Sequence, residues 1–293
     1  MSVYAVERIK QIMDCRIAQA INPLVEASEM TQLVGAMMAD AGSAAAYQRE
    51  LVFMGLRALI GAEAKHYADN LNDAAWVQAL QGVGNLLEQG KIPALNTSYA
   101  ADSWELPYLY ATIFIMEQYA YGSVTIEPDD VVLDCGARFG EMGIWALQRG
   151  AGSVYAFESN PIAYDYVVNN ALAFGQHKMK TIHAGLADKA ATMQYAINEK
   201  KIDVPIIPLD QWCTEYHVVP QFIKMYLEGN ALNALMGAQK TIQTHHPKLA
   251  ITLSLNMSDM WNVPIMIKKL CPEYHLTCCK NAPLMEFVLY ATC

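Results

Sequence analysis

The sequence predicts an α/β fold, a mostly parallel sheet that ends in an antiparallel hairpin, preceded by an α-helical amino-terminal region. Three observations carry this. Up to about residue 105, apolar residues recur at helical spacing and β-branched runs are few. After Gly122, short apolar runs alternate with helical patterns. The last two strand-like runs are separated only by a short turn. Strands alternating with helices require right-handed crossovers and a parallel sheet covered on both faces, whereas strands joined by a tight turn pair antiparallel.

Each element follows from local pattern. Val6-Ile9-Ile12-Met13 and Leu51-Met54-Leu56-Leu59 mark amphipathic helices, and the stretch from Gly82 to Ser103, broken by Gly, Pro and Asn, reads as a connection. Trp104 to Tyr121 is expected to be helical, with Pro107 tolerated in the first turn. A short strand at Val124 leads to a turn at Glu127-Pro128-Asp129-Asp130, then to the apolar strand VVLDC and a glycine-containing loop. Val154–Phe157 is a second strand, Pro161–Phe174 a helix and Met179–His183 a third strand. Phe222–Leu227 is a fourth strand, followed by a helix through Gly237 to Thr244 and a strand at Leu249–Leu255. YHLTCC and EFVLYA close the sheet around a turn at Asn281-Ala282-Pro283.

Composition narrows the function classes. The chain has 293 residues, 54% of them hydrophobic and 17% charged, the balance of a folded globule. Its net charge of −9, with no Lys/Arg cluster, argues against nucleic acid, whose binding rests on neutralised phosphates. No apolar run reaches the roughly 18 residues that span a bilayer, so no membrane partner is expected. The charged start, MSVYAVERIKQ, lacks an apolar signal core and points to the cytoplasm. Seven cysteines are scattered without a CxxC pair, so reduced thiols are expected rather than a disulfide framework. His217 and the pair His245-His246 fall at element ends and read as surface or capping residues, and no metal site is expected.

The strongest local signal is Val131 to Gly140, VVLDCGARFG: a buried strand delivers Asp134, and glycines then let the backbone approach a ligand. The second strand ends in Glu158, 24 residues after Asp134, about the interval for a carboxylate that receives a ribose diol. A dinucleotide would bring a pyrophosphate to the loop, where Asp134 repels it, and the glycines do not spell G-x-G-x-x-G. S-adenosylmethionine has no phosphate and carries a cationic ammonium and sulfonium, which the same acid attracts. A nicotinamide-dependent oxidoreductase is therefore the disfavoured alternative.

Three stretches carry a likeness to a known family: VVLDCGARFGEMGIWALQRGAGSVYAFESNP (131–161), HAGLADK (183–189), and IPLDQW with QFIKMYLEGNALNALMGAQKTI (207–242). The sequence here resembles the FkbM-type methyltransferases, over roughly Leu106 to Tyr290. The resemblance implies the Rossmann-like sheet of class I methyltransferases and S-adenosylmethionine as cofactor. Family members mostly methylate oxygen atoms of sugars, polyketides and related metabolites, so the implied partner is a small-molecule or saccharide acceptor. It further implies that Asp134, Gly136, Ala137, Arg138 and Gly140 line the methionine end of the cofactor. Glu158 would hold the ribose, with Ser159 and Asn160 beside the adenosine and His183 and Ala184 near the adenine. Lys224, Tyr226 and Glu228 would face the acceptor. Glu228 is the expected proton acceptor, Lys224 an orienting charge and Tyr226 a hydrogen-bonding group.

The chain departs from the family pattern at Arg138, where Asn is usual, at Tyr226, where Asp is usual, and at Ala231, where Glu is usual. The last two changes remove carboxylates from the acceptor side, which argues against a metal-assisted reaction and leaves a non-catalytic cofactor-binding module as the alternative. Tyr119 and Tyr121 are candidates for a cation–π contact with the sulfonium. The expected division is 1–105, a helical region serving as lid, homodimer interface or recognition module, and 106–293, the methyltransferase domain.

Overall fold

The computed structural model describes residues 33–60, 73–93, 109–175, 177–197, 200–253, 258–279 and 287–293. The helical pattern expected at Val6–Met13 and the final turn at 281–283 lie outside them, as do Trp104, Tyr108 and Cys15.

A seven-stranded sheet forms the centre, in the order β3-β2-β1-β7-β8-β10-β9. Its strands are β1 (Val131–Cys135), β2 (Ser153–Glu158), β3 (Met179–His183), β7 (Phe222–Met225), β8 (Lys248–Thr252), β9 (His275–Cys279) and β10 (Val288–Thr292). Strands β3, β2, β1, β7 and β8 pair in parallel, and β10 pairs antiparallel with both β8 and β9. The mostly parallel sheet with its antiparallel finish is thus as expected. A second, three-stranded sheet of β4 (Gly185–Leu186), β6 (Lys200–Ile207) and β5 (Ala191–Ile197) stands beside it.

The central strands are buried on both faces, and their side chains alternate between two cores. Leu133, Cys135, Ile223, Met225, Leu249 and Ile251 point into one layer, beneath α5 (Leu209–Tyr216), α6 (Ala231–Met236), α7 (Gln239–His245) and α8 (Asp259–Leu270). Val132, Val154, Ala156, Phe222 and Ala250 point into the other, beneath α3 (Glu141–Gln148) and α4 (Pro161–Phe174).

The amino-terminal region contributes α1 (Ala41–Ile60) and α2 (Asp73–Glu88). Val34, Met38, Tyr47 and Leu51 join the first core layer. Met38 bridges in parallel to Leu276 and Ala39 N donates to Leu276 O at 2.7 Å, so this segment covers the otherwise open edge of β9. The Ser43 hydroxyl accepts from Cys278 N, and the Tyr47 hydroxyl donates to Met260 O at 3.0 Å.

Three local expectations change. The stretch from Gly82, read as a connection, continues α2 to Glu88, because Gly82 is where Ile115 packs against the helix: a Cβ there would lie 2.8 Å from the Ile115 side chain. The long helix expected up to Tyr121 instead closes in a π turn at Ala111–Ile115, with Met116 N donating to Ala111 O and Glu117 in the left-handed region. The helix expected through Gly237 to Thr244 is two helices, α6 and α7, parted where Gly237 passes within a Cβ's reach of Ala187 O.

Candidate functional site

Sheet order reverses between β1 and β7, which directs the chain to opposite sides and opens a crevice at their carboxyl ends. A cleft of about 570 Å³ lies there, within the range of small-molecule sites. Gly136, Arg138, Glu158, Ser159, Asn160, Ala184, Tyr226 and Glu228, all expected site residues, line it. Asp134, Ala137, Gly140, His183 and Lys224 do not belong to that lining.

The loop after β1 is fixed by backbone contacts. Gly136 N and Ala137 N both donate to Phe157 O, and Tyr226 N donates to Cys135 O. Gly136 has φ +82°, and a Cβ there would stand 2.0 Å from Tyr226 O, so only glycine lets the β1 and β7 loops come together. Gly140, at φ +81°, precedes α3, and a Cβ would strike Met179 and approach Val167. Its small size serves the closure of the loop on β3 and α4, away from the cleft. Ala137 is likewise buried in the second core layer.

Glu158 ends β2 at the cleft wall. Its Oε2 accepts from Arg138 N at 2.8 Å and its Oε1 from Asn160 N at 2.7 Å. Burial raises its pKa above the usual carboxylate value, against the opposing pull of these two amides. Asn160 then caps α4, its Oδ1 accepting from Ile162 N and Ala163 N, with Pro161 at the first helical position. The same turn therefore sets both the helix and the carboxylate.

Asp134 and Lys224 are direct neighbours in the β1–β7 register. Lys224 Nζ donates to Asp134 Oδ1 at 2.9 Å and to Gly136 O at 2.7 Å, with both side chains almost wholly buried. Asp134 Oδ2 is buried and has no hydrogen-bond partner. The ammonium also lies 5.4 Å from the Tyr119 ring centroid and 5.8 Å from that of Tyr226. Tyr119 thus sits under Lys224, and Tyr121 stacks on Tyr290 at 5.4 Å. Neither tyrosine is part of the cleft lining.

At the end of β3, His183 stacks on Tyr164 with centroids 4.4 Å apart, and its Nε2 is buried without a partner. Met193, Tyr195 and Ile206 come from the three-stranded sheet, and the Ser159 and Tyr195 hydroxyls are 2.9 Å apart. On the β7 side, Glu228 lines the cleft with φ +48°, and Asn230 Nδ2 donates to Leu186 O, tying this loop to β4. Sequence reasoning missed Met193, Tyr195, Ile206 and Asn230. Met193, Tyr195 and Ile206 lie on a hairpin whose apolar alternation, Met193-Tyr195-Ile197 and Ile202-Val204-Ile206, is the signal that could have found them, whereas Asn230 sits in a polar turn that has no apolar pattern. Ala231, at the start of α6, is buried in the core.

Comparison with known proteins gives a likeness of family and fold. Residues 134–276 match the family model described as the methyltransferase FkbM domain. The 31-O-demethyl-FK506 methyltransferase FkbM of Streptomyces tacrolimicus is 29% identical over 115 residues, 39% of this chain and 42% of that protein. The crystal structure of methyltransferase FkbM from Methylobacillus flagellatus KT superposes with a TM-score of 0.61 at 19% identity, over 92% of this chain and 59% of that one. At that identity the likeness concerns the fold, and the chain spans less than two thirds of either relative. Over residues 134–276, the chain is thus similar to the FkbM-type methyltransferases.

Proposed function

We propose that this chain is a methyltransferase that uses S-adenosylmethionine and methylates a hydroxyl oxygen of a small or saccharide-linked metabolite. The observation that carries the cofactor is Glu158, whose carboxylate is held by two main-chain amides at the cleft wall. Each oxygen keeps acceptor capacity for one of two adjacent ribose hydroxyls. The lining fits the ligand: the acid at the end of β2, a glycine-lined approach at Gly136, and an apolar wall of Leu186, Met193 and Ile206 for a flat base. When bound, S-adenosylmethionine supplies a methyl carbon made electrophilic by its sulfonium.

The chain's own residues then divide the work. Glu158 orients the ribose, and Ser159 and Tyr195 form a polar pair beside it. Lys224 is a positioning residue: it holds Asp134 and the Gly136 carbonyl in place from beneath the loop. Glu228, on the β7 side of the cleft, is the carboxylate assigned to take the acceptor's proton, and Tyr226 lends a hydrogen bond. The cleft's walls supply proximity, which accounts for much of the rate in a displacement of this kind. Oxygen as the target is supported by the name of the Streptomyces relative, a 31-O-demethyl-FK506 methyltransferase. The net charge of −9 supports a small acceptor over a nucleic acid.

A second reading, a cofactor-binding module without turnover, is favoured by Ala231, which replaces a family carboxylate with a methyl group sealed in the core. Calorimetric titration with S-adenosylmethionine, S-adenosylhomocysteine and NAD tests the cofactor. The expected result is micromolar binding of both sulfur ligands and none of NAD. Silence from both in folded, cofactor-free protein sinks the proposal. Release of S-adenosylhomocysteine in the presence of a hydroxylated acceptor separates the two readings.

A further inference from the structure

At the opposite end of the strands from the cleft, three chain segments bring soft donor atoms together. His246 ends α7 just before β8, Cys271 ends α8 just before β9, and Cys293 follows β10. His246 Nδ1 lies 3.2 Å from Cys271 Sγ and 3.7 Å from Cys293 Sγ, and the two sulfurs are 3.6 Å apart. Glu273 adds an oxygen 3.4 Å from Cys271 Sγ. The three His and Cys atoms all lie within 4.8 Å of one another, a grouping of ligand type and not of carboxylates alone.

The spacing is what a single small ion requires. Zinc bonds of about 2.3 Å to sulfur and about 2.0–2.1 Å to nitrogen or oxygen, at tetrahedral angles, put neighbouring donors roughly 3.5–3.8 Å apart. The His–Cys and Cys–Cys separations of 3.2, 3.6 and 3.7 Å fall within that range or a few tenths of an ångström below it. Cys271 is buried, while His246 and Cys293 are exposed, so an ion can enter from solvent. The loops are also held without an ion. The Tyr274 hydroxyl donates to Pro247 O at 2.6 Å, joining the turn after His246 to the turn after Cys271. Lys268 Nζ donates to Pro272 O and keeps a cation beside the donors.

We propose that His246, Cys271 and Cys293 form a site for a thiophilic divalent cation of the zinc type, solvent completing the four ligands, distinct from the methyl-transfer cleft. On binding, both thiols lose their protons to solvent and no redox change occurs. The ion joins the loop before β8, the loop before β9 and the end of β10, where the antiparallel strands depart from the parallel sheet. The paired histidines were read from sequence as surface residues because no short-range motif links them to the cysteines: the donors come from three separate elements.

Cobalt titration of the untagged, fully reduced chain tests this, with zinc as competitor. Expected are one equivalent of cobalt with intense tetrahedral d–d bands and a thiolate charge-transfer band, both abolished by zinc. Cys293→Ser should remove about half of the charge-transfer intensity. His246→Asn, which suits the left-handed backbone at φ +47°, should weaken binding at least about tenfold. Zinc should raise the melting temperature of the wild type and not that of Cys293→Ser, with circular dichroism showing both variants folded. Cobalt that keeps its aquo-ion spectrum overturns the proposal. So does a charge-transfer band that survives at full intensity in Cys293→Ser.

Discussion

Both carboxylate oxygens of Glu158 accept main-chain N–H groups, so this side chain organises the loop after β1 as well as facing the cleft. Glu158→Ala removes the hydroxyl acceptors and is expected to weaken S-adenosylmethionine binding by about 2 kcal/mol, roughly thirtyfold. Calorimetry on the folded variant measures it, and an unchanged affinity would exclude the ribose role. Glu228 differs, since it lines the cleft from a left-handed turn of its own. Glu228→Gln should therefore keep cofactor affinity and lose turnover, and full activity in that variant removes it as the proton acceptor. Glu141 poses a question of stability. Burial pushes its carboxyl from 4.5 to about 7, with the Lys224 charge opposing the rise and Phe139 N donating to it. Below pH 4.5 the folded and unfolded chains are both protonated there. Between 4.5 and about 7 only the unfolded chain ionises, so this group's contribution to stability is lost as pH rises and stays lost above about 7. Glu141→Gln has no such penalty. Urea unfolding of both proteins should show the variant gaining on the wild type by about 3 kcal/mol across that window. A gap that does not change with pH contradicts the account.

Between residues and the molecule stand the elements, and α4 shows how one of them serves both fold and site. Its cap, Asn160, receives two of the first-turn amides, and Pro161 needs no donor partner. Asn160→Ala should cost about 1 kcal/mol in urea unfolding, while Asn160→Asp should cost much less, because Asp caps equally well. Equal losses in the two would show that the cap is not what Asn160 contributes. This helix and β3 were legible in the sequence to the residue, and β1 and β2 nearly so, because buried parallel strands read as apolar runs and Asn-Pro marks a helix start. The β5–β6 hairpin was missed. Its residues are mostly exposed and its pairing runs Lys200 to Pro205 against Thr192 to Ile197, with an alternating apolar face, Met193-Tyr195-Ile197 against Ile202-Val204-Ile206, that was open to a period-two reading. The site divides the same way. Asp134 and Glu158 could be found because strand ends with acids stand out, whereas Met193, Tyr195 and Ile206 arrive on that hairpin. The position of Lys224 beneath the loop was hidden too, since it depends on the β1–β7 register, which pairs it with Asp134.

At the scale of the whole molecule, the issue is whether the helices before residue 105 are a separable unit. The pattern of the sequence permits a boundary there, yet α1 lies against the far end of the central sheet. Tyr47 is fully buried, donates to Met260 O and tilts against Phe287 at 6.4 Å. Ser43 holds Cys278 on β9, and the backbone at Met38–Ala39 pairs with Leu276. On the other face, Ala79 and Val83 of α2 pack with Phe139, the residue just before Gly140 in the β1 loop. Removing residues 1–105 would expose Leu276, Cys278 and Met260 and leave β9 as an open edge, the kind of surface that drives edge-to-edge association. The truncated chain 106–293 is therefore expected to aggregate or to lose cooperative urea unfolding. Tyr47→Ala in the full chain should cost about 3–5 kcal/mol, the range for deleting a large buried aromatic. Because Tyr47 touches neither Glu158 nor Glu228, cofactor affinity measured well below the unfolding midpoint should stay within about twofold of wild type. A truncated chain that stays monomeric, unfolds at the native midpoint and binds S-adenosylmethionine would instead make the helical region a detachable module, its contacts with β9 and the β1 loop contributing nothing to the fold.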